Sequence, residues 1–280
     1  MNHSTADEQK DQQILLDLAI RENMSLIKHK LIVMSGKGGV GKSTVSTNLA
    51  YGLSFSGMNV GLLDIDIHGP SLGKMMGIEG QLILGKVKGE KLAPIEVNGL
   101  KVVTMASLLK DSDTPVIWRG PLKMSVIKQF LGEIEWGELD YLVIDSPPGT
   151  GDEPLSICQL IPETDGSIIV TTPQDVALID SRKTVRFSEV LNIPILGIIE
   201  NMSGLKCPHC GEMINLFKTG GGEKAAKTMN ITFLGRIPID PNIVETSDAG
   251  KAFIYDFAKS DAGKAMQEIV NKVIQKTSGK

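Results

Sequence analysis

The chain is expected to fold as one doubly wound α/β domain, a mostly parallel sheet with helices on both faces. Three observations predict this. Apolar runs alternate with helical patterns along most of the 280 residues. Several of those runs are continuously apolar, as strands buried on both faces must be. The first run, Leu31-Ile32-Val33-Met34, passes directly into Gly36-Lys37-Gly38-Gly39-Val40-Gly41-Lys42-Ser43-Thr44. That is the strand–loop–helix order of a phosphate loop.

In chain order, residues 1–13 are polar and read as disordered, and 14–20 are apolar enough for a short helix leading into the first strand. The expected division is a flexible or helical leader, 1–29, and a single domain, 30–280. Strands are predicted at 31–35, 60–64, 101–105, 141–145, 167–172, 195–200 and 231–234. Val45, Leu49 and Leu53 recur at helical spacing until Gly57 stops that helix. Further helices are predicted at 174–191, ended before Pro194, and at 260–276. Strands alternating with helices require crossover connections and hence a mostly parallel sheet. A segment near 203–222, carrying a cysteine pair, reads as an insertion in the domain.

Composition narrows the function. Hydrophobic residues make up 41% of the chain and aromatics only 4%, so the core is mostly aliphatic. A net charge of −4 gives no general electrostatic case for nucleic acid. No apolar run reaches the ~18 residues of a membrane span. The polar, acid-bearing N-terminus is unlike a signal peptide. A cytoplasmic protein is expected, with its three cysteines as thiols or ligands rather than disulfides.

The glycine-rich stretch fits G-x-x-x-x-G-K-[ST], running from Gly36 to Ser43. Glycines tolerate positive φ and let successive N–H groups curl around a polyphosphate. Lys42 can reach the β- and γ-phosphates and Ser43 can ligate Mg²⁺. Gly36, Gly38 and Gly41 also spell G-x-G-x-x-G, with Asp64 near the spacing of a ribose-binding acid, so a dinucleotide site is the first alternative. Lys42-Ser43 and the extra Lys37 have no role in that fingerprint, which favours a P-loop NTPase.

Two acidic motifs follow strands. Asp64-Ile65-Asp66 ends the second, where a carboxylate can hold Mg²⁺ through water or orient an attacking water; alone, these acids would be read as capping the next turn. Asp145 ends Tyr141-Leu142-Val143-Ile144, a Walker B arrangement, and a buried acid there needs a partner such as Mg²⁺. The loop from Ser146 to Asp152, with paired prolines and glycines, suits a nucleotide-sensing switch. Asn201 can read the adenine edge, and the segment from Gly235 to Pro241, including Pro238, can wall the base, although Asn and Pro are ordinary turn residues.

Cys207-Pro208-His209-Cys210-Gly211 is the second strong signal. Two thiolates two residues apart can chelate one metal ion or one edge of a cluster. A tetrahedral ion or a cubane needs four, and no second pair exists; Cys158 reads as a small buried hydrophobe. A symmetric dimer would complete a four-thiolate site on its two-fold axis. A redox dithiol fits the position poorly, and spacing alone leaves zinc and iron–sulfur equally open.

Gly36 to Thr44, Asp64 to Ser71, Trp118-Arg119-Gly120-Pro121, Asp145 to Asp152, Glu200-Asn201-Met202-Ser203 and the Cys207/Cys210 pair together resemble the Mrp (ApbC-like) iron–sulfur carrier ATPases of the deviant Walker A class. The likeness covers roughly residues 30–275. It implies a homodimer that binds ATP and Mg²⁺ and carries a labile [4Fe–4S] cluster, bridged by Cys207 and Cys210 of both subunits, from an assembly scaffold to apo-proteins. By position, Lys37 resembles the signature lysine that reaches the partner's nucleotide, Lys42 and Ser43 the phosphate and Mg²⁺ contacts, Asp66 the catalytic acid, Asp145 the Walker B acid and Asn201 the adenine reader. Two departures from the pattern are the short leader and the lack of an N-terminal four-cysteine site, so no second stable cluster is expected.

The rival is a spatial-organising ATPase of the MinD/ParA type. Ala265, Met266, Ile269, Val270, Val273 and Ile274 form an amphipathic C-terminal helix that can lie on a membrane. It has no aromatic anchor, and packing against the sheet is the expectation, with no stable membrane association.

Overall fold

The computed structural model describes residues 4–66, 71–81, 91–108, 120–207 and 209–279. In order, the elements are α1 (Ser4–Ser25), β1 (Ile27–Met34), α2 (Lys42–Phe55), β2 (Val60–Asp64), α3 (Leu72–Met75), β3 (Ile95–Val97), β4 (Leu100–Thr104), a 3₁₀ turn (Met105–Leu108), α4 (Gly120–Gly132), β5 (Leu139–Asp145) and α5 (Asp152–Leu160). There follow β6 (Gly166–Thr171), α6 (Asp175–Val190), β7 (Ile195–Glu200), β8 (Leu205–Lys206), β9 (Met213–Ile214), α7 (Gly221–Thr228), β10 (Phe233–Arg236), α8 (Pro241–Asp248), α9 (Phe253–Asp256) and α10 (Asp261–Thr277).

Eight strands form one sheet in the order β10-β7-β6-β1-β5-β2-β4-β3. Every pairing is parallel except β3 with β4. Alternate residues of β1 serve opposite faces, as strand geometry requires. Leu31 and Val33 pack with α2 and α10 residues such as Leu49 and Val270. Ile32 and Met34 pack with α1, α4 and α5 residues such as Met24, Phe130 and Ile157. The doubly wound sheet and the seven predicted strands are all present, with ends moved by up to four residues.

The sequence reading misses β3, whose short, half-exposed edge position leaves no apolar run, and the two-residue strands β8 and β9. It also takes 1–13 as disordered, whereas α1 begins at Ser4. The helix pays little regard to apolar periodicity at that end: it leaves Ile14, Leu15 and Leu18 exposed and buries Ile20 and Met24 against α4. Cys158 is buried in α5 as expected, and burial raises its thiol pKa to about 11. The apolar face of α10 is occupied: Met266, Ile269, Val270 and Val273 are buried against the sheet layer. No described helix is long and apolar enough to cross a membrane.

Close packing of α2 against α9 and α10 depends on Gly52. A Cβ there would lie 2.5 Å from Val270 Cγ2 and 2.9 Å from Ile254 Cδ1. Gly52→Ala favours the helix by propensity but overpacks this seam, and the second effect is larger, costing about 1–3 kcal/mol. Urea unfolding followed by circular dichroism measures it; an unchanged midpoint would refute the seam.

Candidate nucleotide site and cysteine hairpin

The loop between β1 and α2 is shaped by glycines for different reasons. Gly39 and Gly41 have φ of +78° and +82°, and Gly41 is the N-cap of α2. A Cβ on Gly38 or Gly39 would meet nothing within 4 Å, so there the backbone faces an open concavity. Gly36 and Gly41 serve packing instead: a Cβ would fall 2.3 Å from the Asp180 carbonyl carbon, or 2.2 Å from Asn201 Nδ2. Beside the loop lies a cleft of about 350 Å³, lined among others by Lys37, Lys42, Ser43, Thr44, Asp66 and Pro148. The first N–H groups of α2 have no partner within the helix, as in any anion-binding helix start.

Parallel register brings the acids together, for Asp145 pairs with Val33 on one side and Asp64 on the other. Asp145 is fully buried and accepts hydrogen bonds from Ser43 Oγ at 2.6 Å and Ser46 Oγ at 2.7 Å. Lys42 Nζ lies 2.9 Å from Asp145 Oδ1 and 3.4 Å from Asp66 Oδ2. The Lys42–Asp145 contact has the distance of an ion pair but angles too poor for a full hydrogen bond, and we regard it as charge pairing. Burial disfavours the Lys42 charge, but Asp145, Asp66 and Asp64 outweigh it, so its pKa is raised. An enclosed ammonium without a well-aligned acceptor, above an open backbone cradle, fits a bound polyphosphate.

Asp64 does not face solvent as a ribose reader would. It is buried, accepts from Thr104 Oγ1 at 2.8 Å and from the Asp66 N–H at 3.0 Å, and neighbours Asp145. Burial first, and the Asp145 charge second, push its pKa up to about 8. The dinucleotide alternative thereby loses its acid. Lys37 is half-buried at the cleft and, among the described residues, has no carboxylate within 4 Å. The loop after Asp145 is tied to β1 and to the residue just before the phosphate loop, through Ser146 N to Val33 O at 3.2 Å and Gly149 N to Ser35 O at 2.8 Å.

Asn201 is buried beside the loop and its Nδ2 donates to the Val40 carbonyl at 2.9 Å. Pro238 is placed elsewhere, in a second cleft of about 560 Å³ with Arg236, Asn242 and the hairpin residues Lys206 and Met213. The hairpin β8–β9 carries the cysteines: Cys207 N donates to Glu212 O at 2.8 Å and Gly211 N to Cys207 O at 2.9 Å. The Cys210 and His209 N–H groups are directed at the Cys207 sulfur, with the Cys210 thiol adding to them, and they hold its pKa below the usual thiol value. Cys210 and His209 are exposed. Among the described residues no cluster of three or more His, Cys, Asp or Glu can hold a metal. Ile67 to Pro70, Trp118, Arg119 and Pro208, which carry part of the resemblance, lie outside the described residues.

Ser46 and Thr104 escape the sequence reading, and Glu200 enters it only as part of a motif, without a role. Glu200 has a signal that could have found it, an acid ending an apolar strand as Asp145 does. Ser46 lies one helical turn after Lys42, a spacing that was legible once the loop was placed.

Because Asp64 binds its proton more tightly folded than unfolded, this group costs stability progressively as pH rises from about 4 to its folded value of about 8. Asp64→Asn keeps both hydrogen bonds feasible and removes the titration. Without nucleotide or Mg²⁺, wild-type unfolding free energy should fall relative to Asp64→Asn across that window, by at most about 1.4 kcal/mol per pH unit. Parallel pH profiles for the two proteins would refute a proton held on Asp64.

Known proteins resemble this chain over most of its length. The chain is 51% identical over 265 residues to an iron-sulfur cluster carrier protein of Methanocaldococcus jannaschii, covering 94% of this chain and 90% of the relative. It is 48% identical over 266 residues to the cytosolic Fe-S cluster assembly factor CFD1 of Candida glabrata, covering 92% and 93%. Among solved structures, a nucleotide-binding protein of Archaeoglobus fulgidus in complex with ADP aligns with a TM-score of 0.75 and 40% identity, over 85% of this chain and 93% of that one. The cell-division protein MinD of Aquifex aeolicus, at 22% identity and TM-score 0.63 over 88% and 97%, shares the fold. The ParA family model described as NUBPL iron-transfer P-loop NTPase matches residues 26–274. That match runs from the start of β1 into α10, taking in both the phosphate loop and the cysteine hairpin, and the chain belongs to this family of P-loop NTPases.

Proposed function

We propose that this protein is a cytosolic ATPase that carries an iron–sulfur cluster, bridged between the two subunits of a homodimer, and passes it from an assembly scaffold to apo-proteins. The observation that carries this reading is the cysteine turn. It offers two thiols, one of them acidified by backbone N–H groups, on an exposed hairpin of a chain that also has a phosphate loop. Two thiols per chain are half of a cubane's ligands. Met213, Ile214 and Leu216, exposed around the turn, and Val176 and Ile179, exposed on α6, supply apolar surface for a second copy. The names of the relatives, an iron-sulfur cluster carrier and a cytosolic assembly factor, support the same reading.

ATP would lie along residues 36–44, with the N–H groups of Gly38 to Thr44 on its phosphates. Lys42 would turn from Asp145 and Asp66 to the β- and γ-oxygens, a short move from its present position between them. Ser43 and Asp145 would hold Mg²⁺, which supplies charge neutralisation at the phosphates when bound. Asp66, buried in the lining of the cleft, orients the attacking water. Lys37 reaches across the dimer to the partner's nucleotide. Asn201 Oδ1 would accept from the exocyclic amine of adenine.

Lys42→Ala should abolish nucleotide binding. Lys37→Ala should bind nucleotide yet hydrolyse it about 10³-fold more slowly, as expected when a cation delivered across an interface stabilises transition-state charge. Asp66→Ala should behave like Lys37→Ala. Titration with labelled ATP and steady-state turnover separate these roles; equal loss of affinity in all three variants would refute them.

Anaerobic reconstitution should yield about one cubane per two chains. Cys207→Ser and Cys210→Ser should each lose the iron, and Cys158→Ala should keep it. Iron, sulfide and zinc analysis of the purified dimer decides the matter. Stoichiometric zinc without sulfide, or iron loss in Cys158→Ala alone, would overturn the carrier reading.

A further inference from the structure

The tip of β7 holds two neighbouring side chains that grip two different parts of the molecule. Asn201 continues the sheet, its N–H donating to Thr171 O at 2.8 Å, and its Nδ2 braces the phosphate loop at Val40. Gly41 fits against that amide only because it lacks a Cβ, and Met202 Cε lies 3.6 Å from where that Cβ would be. Glu200, one residue earlier, is fully buried. Its Oε1 accepts from Ser203 Oγ, from the Gly220 N–H at 2.8 Å and from Arg236 Nε at 3.1 Å, and its Oε2 accepts from the Gly222 N–H.

These donors are not scattered. Ser203 and Gly220 stand at the two ends of the segment that carries Cys207 and Cys210. One carboxylate therefore pins both ends of the cysteine hairpin to the sheet and caps the N-terminus of α7. Further bonds tie the stem of the hairpin to the chain just after β10: Ser203 N to Ile237 O at 3.0 Å and Ile239 N to Gly204 O at 2.8 Å. A buried charge holding four donors has little freedom to relax, so a shift at the tip of β7 is passed on rather than absorbed.

We propose that Glu200 is a positioning residue for the cysteine hairpin, and that the Glu200-Asn201 pair couples occupancy of the phosphate loop to the exposure and orientation of Cys207 and Cys210. The proposal rests on the assignment of the phosphate loop and the cysteine pair above. The two are tested apart: iron and sulfide uptake tests the cysteine ligands, and thiol chemistry in the cluster-free protein tests the coupling.

The experiment measures the iodoacetamide alkylation rate of Cys207 and Cys210 by peptide mass spectrometry, with and without Mg²⁺ and a non-hydrolysable ATP analogue. Buried Cys158 serves as the internal control for folding. In wild type the analogue should change the Cys207 rate by about fivefold or more, the lower end of ordinary coupling between sites. Glu200→Gln sets an amide against N–H donors and should bring that ratio close to one, with analogue affinity kept within about threefold. Ser203→Ala removes a single hydroxyl donor at one end of the hairpin; it guards against misfolding of the first variant and should at least halve the ratio. A wild-type ratio of one would overturn the proposal. So would a nucleotide-dependent ratio that persists unchanged in both variants, since subunit association alone would then account for the thiol protection.

Discussion

The buried carboxylate of Asp145 is the constraint around which the nucleotide end of this protein is organised. A charge at the tip of a fully enclosed strand is tolerated only with partners, and its partners come from α2: Lys42, Ser43 and Ser46. Those three residues fix the rotation of α2 about its own axis, because Lys42 and Ser46 lie one turn apart. The glycine loop must then cover a short span from Met34 to Lys42, and it does so with left-handed turns at Gly39 and Gly41. Asp64 is drawn into the same cluster by register, and its raised pKa follows first from its burial and second from the Asp145 charge beside it.

The side-chain contacts at this site are ones that a bound nucleotide would replace. Lys42 neutralises acids where it would otherwise meet phosphate, and Ser43 donates to the carboxylate with which it would share Mg²⁺. A similar arrangement appears at β7, where a second buried acid, Glu200, organises the hairpin that bears the thiols. The carboxylates that end β5 and β7 each gather a segment of chain, the start of α2 at Asp145 and the cysteine hairpin at Glu200.

The cysteine turn follows a different physical logic. It is a surface structure with a minimal ladder, β8 paired to β9 over two residues. Its order comes from backbone hydrogen bonds across the turn and from Glu200 beneath it. N–H groups directed at the Cys207 sulfur favour the thiolate, the state that binds metal. A chain that presents only two such ligands, ringed by exposed Met213, Ile214 and Leu216, is chemically incomplete alone under the carrier reading.

Local chemistry determined much of this protein in the sequence itself. Glycines at fixed offsets, a lysine and serine opening a helix, continuous apolar strands ending in acids and a CxxC turn are short-range patterns. Physical rules read them without knowing what they will touch. The parallel sheet and the loop's identity followed from them. What only the tertiary structure decided are contacts between residues distant in sequence. Register put Asp64 beside Asp145 and made it a buried acid instead of a ribose reader. Packing against Asp180, not phosphate, explains Gly36. Asn201 turned to Val40, Pro238 faced a separate cleft, and α1 extended back to Ser4, beyond the short helix expected at 14–20. Glu200 gathered donors from Ser203, Gly220, Gly222 and Arg236. No periodicity encodes such convergence, because it depends on where three later segments of chain return to the end of one strand.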